Sequence, residues 1–237
     1  MYRIISYNIH SGVGVDKVQN YQRIGEFLKK HHVDIALLQE MDTRPAERDT
    51  AQDISDICAG HFTELIASPA LAESYGWYGN AIISRFPVTQ QTSFDVSQPG
   101  VQPRNIQKVE VNTPDGLLCL INTHKGLKKQ ERKAQFALLA EYIDDYQQQQ
   151  QQTPLLLAGD FNEWQFFTRA FKRLNQSLTQ HKVAATFPTR WPVFSLDRVW
   201  TNPHLKVIDC KVLKTPETRY FSDHYPILID VEIKQSI

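Results

Sequence analysis

The decapeptide LLLAGDFNEW, residues 155–164, decides how the chain is read. A short apolar run of this kind predicts a strand buried on both faces. It nevertheless ends by setting Asp160 and Asn162 beside each other with only Phe161 between them. An interior strand that finishes in a carboxylate and an amide is expected where a rigid mount carries chemistry at its rim, with Phe161 pointing into the core. The bland alternatives stay open for each residue alone. Asp160 also fits a loop or helix N-cap, and Asn162 also fits a cap for EWQFFTRAF, residues 163–171.

Working outward, the same alternation of apolar strands and helical patterns continues, which predicts a mixed α/β protein. Ile4–Asn8 reads as a strand, and QRIGEFLKK, residues 22–30, places Ile24, Phe27 and Leu28 at helical spacing. DIALLQE, residues 34–40, reads as a buried strand ending at Glu40. AQDISDICAG, residues 51–60, reads as a helix stopped by Gly60. NAIISRFPV, residues 80–88, IQKVEV, residues 106–111, and LLCLINTH, residues 117–124, read as strands. The turn residues of NTPDG make the last two an antiparallel pair. A long helix is expected from Lys128 to Gln149, with Phe136, Leu139, Ala140 and Ile143 on one face. LDRVW, LKVIDCKVL and YPILIDVEI supply three more strands.

Bulk composition bounds the rest. A chain of 237 residues with 41% hydrophobic content buries roughly 70% or more of its unfolded surface, and nothing in it divides residues 1–237 into more than one domain. Lys plus Arg equals Asp plus Glu at 26 each, so no global field draws the protein to nucleic acid or an anionic membrane. Three cysteines, Cys58, Cys119 and Cys210, make no CxxC pair and read as reduced. The opening MYRIISYNIH carries no basic, then apolar, leader pattern. A cytoplasmic monomer is therefore the expectation, although a chain trimmed of its leader would read the same. Gln147–Gln152 reads as a solvated helix end and loop.

Polar residues recur at or beyond the strand ends: Asn8, Glu40, His124, Asp160 with Asn162, then Asp197, and Asp223 with His224. Glu40 is the hardest to dismiss as ornament, because a carboxylate directly after IALLQ lies against the core. The donor set is oxygen-rich and lacks the Cys or clustered-His spacing of a zinc site, so Mg²⁺ or Mn²⁺ is the expected cofactor. Asp and His partners would then move the protons that phosphate-ester hydrolysis requires.

SYNIH, DIALLQE, GNAIISRFP, INTHKG, AGDFN, LDRVW and SDHYPI, in this order, resemble the motifs of the endonuclease/exonuclease/phosphatase superfamily, and the resemblance runs from residue 4 to about residue 231. It implies a four-layered α/β/β/α sandwich, two facing mixed sheets flanked by helices, with the site at one edge. Carried over motif by motif, Glu40 resembles the principal metal carboxylate, Asn8 its neighbour and Asp223 a second carboxylate near the metal. Asp160 resembles the group that orients or deprotonates the attacking water, and Asn162 the one that holds a phosphoryl oxygen. His224, oriented by Asp197, would contact the phosphate, and His124 matches a histidine that some branches use at the phosphate or leaving group. Asn80 and Arg104 match positions where relatives often have substrate contacts.

The resemblance fixes the bond rather than the molecule. The favoured reading is a metal-dependent phosphodiesterase. The alternatives are a nuclease acting on DNA or RNA, a lipid or inositol phosphate phosphatase, and a non-catalytic module that kept the fold. Nucleic acid and a phospholipid head group are thus candidate partners, with no membrane span expected. One basic cluster, Lys125, Lys128, Lys129, Arg132 and Lys133, reads either as a holder of a second phosphate or head group or as a solvated helix start. Phe187, Trp191 and Phe194 read either as packing residues or as pocket and lipid contacts.

Overall fold

The computed structural model describes residues 1–44, 48–165 and 169–234. In chain order the elements are β1 (Tyr2–Asn8), a 3-10 turn (His10–Gly12), α1 (Tyr21–Lys30), β2 (Ile35–Asp42), α2 (Thr50–Cys58), β3 (Glu64–Glu73), β4 (Gly76–Ser84) and β5 (Val88–Asp95). They continue with β6 (Asn105–Thr113), β7 (Gly116–His124), α3 (Lys129–Gln149), β8 (Leu155–Asp160), α4 (Leu174–Ser177) and β9 (Thr179–His181). The chain closes with β10 (Asp197–Thr201), β11 (Leu205–Val212), α5 (Pro216–Phe221) and β12 (Ile227–Ile233). No helix among the described residues is long and apolar enough to cross a membrane.

The strands form two six-stranded sheets, ordered β11-β12-β1-β2-β4-β3 and β5-β6-β7-β8-β10-β9. Each is mixed: β1 and β2 run parallel in the first, β7 and β8 in the second. Because successive side chains of a strand point to opposite faces, the apolar runs supply two cores at once. Ile4, Leu37, Ile82, Leu120 and Leu156 meet between the sheets. Their neighbours Ile5, Leu38 and Ile83 pack outward with Ile24 and Leu28 of α1 and Ile57 of α2. Ile121 and Leu157 pack outward with Phe136, Leu139 and Ile143 of α3. The result is the expected α/β/β/α sandwich.

LLLAGD is buried throughout. Phe161 is fully buried and stacks on Phe136 at a centroid distance of 5.8 Å. NAIISRFPV differs from its one-strand reading. The chain leaves the first sheet after Ser84 and enters the second at Val88. β5 went unread because VTQQTSFD is an edge strand exposed along nearly its whole length, so it carries no apolar alternation. β3 is an edge strand too, interrupted by a register shift at Pro69, where a proline's missing N–H is tolerated. α2 enters the left-handed region at Ala59, one residue before the expected Gly60. No helix follows Asn162 directly, and residues 166–168 of the expected EWQFFTRAF helix lie outside the described residues. The basic cluster is divided. Lys125 and Arg132 are buried, while Lys128, Lys129 and Lys133 are exposed.

Candidate active site

The parallel pairs set the first contacts. β7 and β8 are in register His124 to Asp160, and antiparallel β10 brings Asp197 opposite Asp160. Backbone irregularities then aim the side chains. Gly159 has φ +151°, and a Cβ there would lie 1.9 Å from the carbonyl oxygen of Thr123, so only glycine lets β8 close on β7 just before Asp160. Glu40 has φ +61° inside the irregularity of β2 between Leu38 and Met41. This bulge interrupts the alternation there.

Asn8 joins the two sheets. Its Nδ2 donates to Glu40 Oε1 at 2.8 Å and to Asp160 Oδ2 at 3.0 Å. Asp160 Oδ1 accepts from the backbone N–H of Asn162 at 2.9 Å. Burial pushes the Asp160 carboxyl up to about 6, opposed by the nearby His224 charge and by its hydrogen bonds from Asn162 and Asn8.

Two imidazoles flank Asp160, each with Nε2 3.7 Å from Oδ2, and their surroundings push them in opposite directions. Burial alone disfavours a charged His224, but Asp197, Asp160 and Asp223 together raise it to about 10. His224 Nδ1 donates to Asp197 Oδ2 at 2.8 Å. His124 lies well below the ordinary histidine range because it is buried and faces Arg104 and His224. Asn162 Nδ2 donates to His124 Nε2 at 3.2 Å and to the Lys125 carbonyl at 2.9 Å. A neutral His124 that accepts at Nε2 keeps its proton on Nδ1. One imidazolium and one neutral imidazole thus share a buried carboxylate.

Among the described residues, two donor groups converge closely enough to hold a cation: Glu40, His124 and Asp160, and Asp160, Asp197 and His224. The second is already satisfied by the proton between Asp197 and His224. The first presents two carboxylates tied to one amide, which suits a hard divalent cation.

The remaining expected residues are distributed as follows. Arg104 is 5% exposed, its Nη1 donates to the Pro103 carbonyl, and its Nε has no hydrogen-bond partner among the described residues. Its charge acts on His124, so it belongs to the cluster. Asn80 is buried and donates to Asn105 Oδ1 at 2.8 Å, an inter-sheet tie. Asp223 stands outside both donor groups, with a side chain 45% exposed and His10 Nδ1 4.0 Å away.

Sequence reasoning passed over two participants. Ser222 Oγ donates to the Asn8 carbonyl at 2.8 Å and accepts from the His224 N–H at 3.2 Å, tying the approach to β12 onto β1. Tyr78 is 6% exposed, and burial and the charge of Glu40 raise its hydroxyl while Arg104 lowers it. Ser222 stands in the quoted SDHYPI motif, whereas Tyr78 had no signal beyond adjacency to GNAIIS.

Comparison with known proteins bears on the fold and the family. The chain is 25% identical over 258 aligned residues to the uncharacterized protein YbhP of Escherichia coli (strain K12), covering 98% of this chain and 96% of YbhP. The endonuclease/exonuclease/phosphatase from Beutenbergia cavernae DSM 12333 superposes with TM-score 0.80 at 19% identity, over 98% of this chain and 71% of that one. The mannosyl-6-phosphatase Bt3783 of Bacteroides thetaiotaomicron VPI-5482 gives 0.79 at 19% identity, over 98% and 100%. D. rerio TDP2, complexed with a single-strand DNA product, gives 0.73 at 16% identity, over 98% of each. These structural likenesses establish a shared fold. Because the model of the Endonuclease/Exonuclease/phosphatase family matches residues 5–224, from β1 to His224, the chain belongs to that family.

Proposed function

We propose that the chain is a divalent-metal-dependent phosphoesterase, with a phosphodiester as the favoured substrate, that hydrolyses its ester by in-line attack of an activated water. The observation that carries this reading is the setting of Asp160, a buried carboxylate between a charged and a neutral imidazole and hydrogen-bonded to Asn8. Glu40, with Asn8 and Asp160 beside it, would hold Mg²⁺ or Mn²⁺. The ion supplies neutralisation of the charge that develops on the phosphoryl oxygens.

The chain's own residues divide the remaining work. Asp160 orients the attacking water and takes its proton, as a carboxylate fixed by hydrogen bonds from Asn8 and Asn162 is placed to do. His224, held charged by Asp197, donates from Nε2 to a phosphoryl oxygen. Asn162 has both amide protons engaged. Its part therefore narrows from holding the phosphate to fixing the tautomer and orientation of His124, whose Nε2 faces Glu40 and Asp160. Arg104 adds a buried positive charge with an unmatched N–H, and Asn80 braces the strands behind it. Asp223 has a rim role.

Nuclease and lipid or inositol phosphatase activities are the alternatives, since neighbours of this fold include proteins named as a sugar phosphatase and as a partner of single-strand DNA. Three free cysteines suit a reducing cytoplasm, where we place the protein as a monomer. The test is a hydrolysis screen with Mg²⁺ and Mn²⁺ across monoester and diester probes, nucleic acids and phospholipids. Cleavage that stops in EDTA and returns with either ion is expected. Full activity in chelator would overturn the reading.

A further inference from the structure

A cleft of about 670 Å³ opens beside the segment that carries His224. Arg190, Lys214 and Arg219 line it, and no carboxylate does. Of the acids nearby, Asp16 meets Arg23 at 2.8 Å and Glu217 meets Lys30 at 2.9 Å, while the Asp223 carboxylate lies 4.0 Å from His10. Lys214 lies over the Tyr225 ring at 5.6 Å, and none of the three cations has an ion-pair partner among the described residues. In a chain whose charges balance at 26 to 26, three uncompensated cations around one cavity make a local anion field.

The cleft is fixed to the catalytic cluster by hydrogen bonds. Thr189, in its wall, donates from its backbone N–H to the Asp223 carbonyl at 2.9 Å and from Oγ1 to the Ser222 carbonyl at 3.1 Å. Tyr225 donates back to the Thr189 carbonyl at 3.0 Å. Arg190 follows Thr189 in the chain, and Arg219 lies in α5, which leads directly into Ser222 and Asp223.

We infer that this cleft takes a second phosphate group of the substrate, beside the one whose ester is cleaved at Asp160 and His224. The inference rests on the phosphoesterase reading above. Two guanidinium forks and an ammonium match a phosphate better than a lone carboxylate, because the forks bind several oxygens at once. The second phosphate arrives either on a soluble molecule or on a lipid head group. Trp191, next to Arg190 in the chain, is 73% exposed, an aromatic that a lipid surface could take up.

The test compares the full chain with the Arg190→Gln/Arg219→Gln variant, Mg²⁺ present throughout. Inorganic phosphate titrated into ¹⁵N-labelled protein is expected to shift the Arg190 and Arg219 Nε–H signals, a readout that needs no turnover. The variant is expected to keep wild-type hydrolysis of bis(p-nitrophenyl) phosphate. Its KM is expected to rise about tenfold or more for glycerol carrying a p-nitrophenyl phosphodiester at one end and a phosphate at the other. That result assigns a soluble source. Loss of co-sedimentation with phosphatidylcholine vesicles containing phosphatidic acid, against no binding to phosphatidylcholine alone, assigns a lipid source. Arginine signals that ignore phosphate, together with a variant altered in neither KM nor vesicle binding, would overturn the inference. Binding of a single-stranded oligonucleotide through these arginines, without response to phosphate or vesicles, would replace it with a nucleic-acid groove. If no ester is cleaved at all, the phosphoesterase reading fails, and the titration and vesicle measurements still decide the cleft.

Discussion

Asp197 and His224 share a 2.8 Å hydrogen bond in a site where Asp197 is 0% exposed and its Oδ1 has no other partner among the described residues. The pair holds a proton in the interior, and its presence is measurable through stability. His224 is raised to about 10 in the folded chain, against about 6.5 for an unperturbed histidine. Its stabilising contribution is therefore complete below about 6.5 and disappears as pH rises through about 10. Urea unfolding of the metal-free protein should show a loss of stability across that window that is markedly smaller in Asp197→Asn. Equal pH slopes in the two proteins would remove the proton from this pair.

The same pair should act as one unit in catalysis, since an imidazole loses its orientation with its carboxylate. Asp197→Ala and His224→Ala should each lower kcat, and the double variant should be little worse than the poorer single one. Losses that multiply would separate the two residues.

Glu40 and Asp160 both accept from the single Nδ2 of Asn8, so two carboxylates are gathered at one point. Glu40→Ala should relieve their repulsion. In EDTA its Tm should equal or exceed that of the wild type. Mg²⁺ at about 100 times its Kd should stabilise the wild type by about 2.7 kcal/mol and the variant by much less. A variant that keeps the full Mg²⁺ shift would return Glu40 to a structural part.

The legibility of the chain follows burial. Strands covered on both faces, such as LLLAG and IALLQ, announce themselves by unbroken apolar character, and the ends of those strands carry Glu40, Asp160 and Asn162. The edge strand VTQQTSFD has solvent on its side chains and no such pattern. Asp223 shares a motif with His224 yet has a side chain 45% exposed, in the bend that precedes β12. Arg190 is far in sequence from Lys214 and Arg219, and the hydrogen bonds of Thr189 to Ser222 and Asp223 bring the two segments to one cleft.

Gly159→Ala tests how tightly the strand end is aimed. The added Cβ meets the Thr123 carbonyl at 1.9 Å with φ at +151°, a conformation that costs a non-glycine residue on the order of 1–3 kcal/mol before the clash. The unfolding free energy should fall by at least that much, seen as a lower urea midpoint at unchanged m. Because a displacement of about 1 Å at a reacting group costs about 10²-fold in rate, kcat should fall as well, even in conditions where the variant is fully folded.

Asp160→Asn isolates the carboxylate from its geometry. The change removes the base and one of the charges facing His224 while preserving volume. It also turns one accepting oxygen into a donor opposite Asn8 Nδ2, now 3.0 Å away, a mismatch of about 1–3 kcal/mol. That cost is offset in part by relief of repulsion with Glu40 and Asp197, so the variant should fold. General-base assistance typically contributes about 10²–10⁴ in rate, and kcat should drop by at least that order. Substrate affinity should change little, because His224 and Arg104 remain. Removing the carboxylate also withdraws one of the influences that raise His224, so the stability loss at high pH should still begin near about 6.5 but be complete at a lower pH, and be smaller in total, than in the wild type. Measured together, kcat, KM and the urea midpoint against pH separate a lost base from a lost fold. A folded Asp160→Asn protein with near-normal turnover would mean that the end of LLLAGDFNEW holds something other than the attacking water.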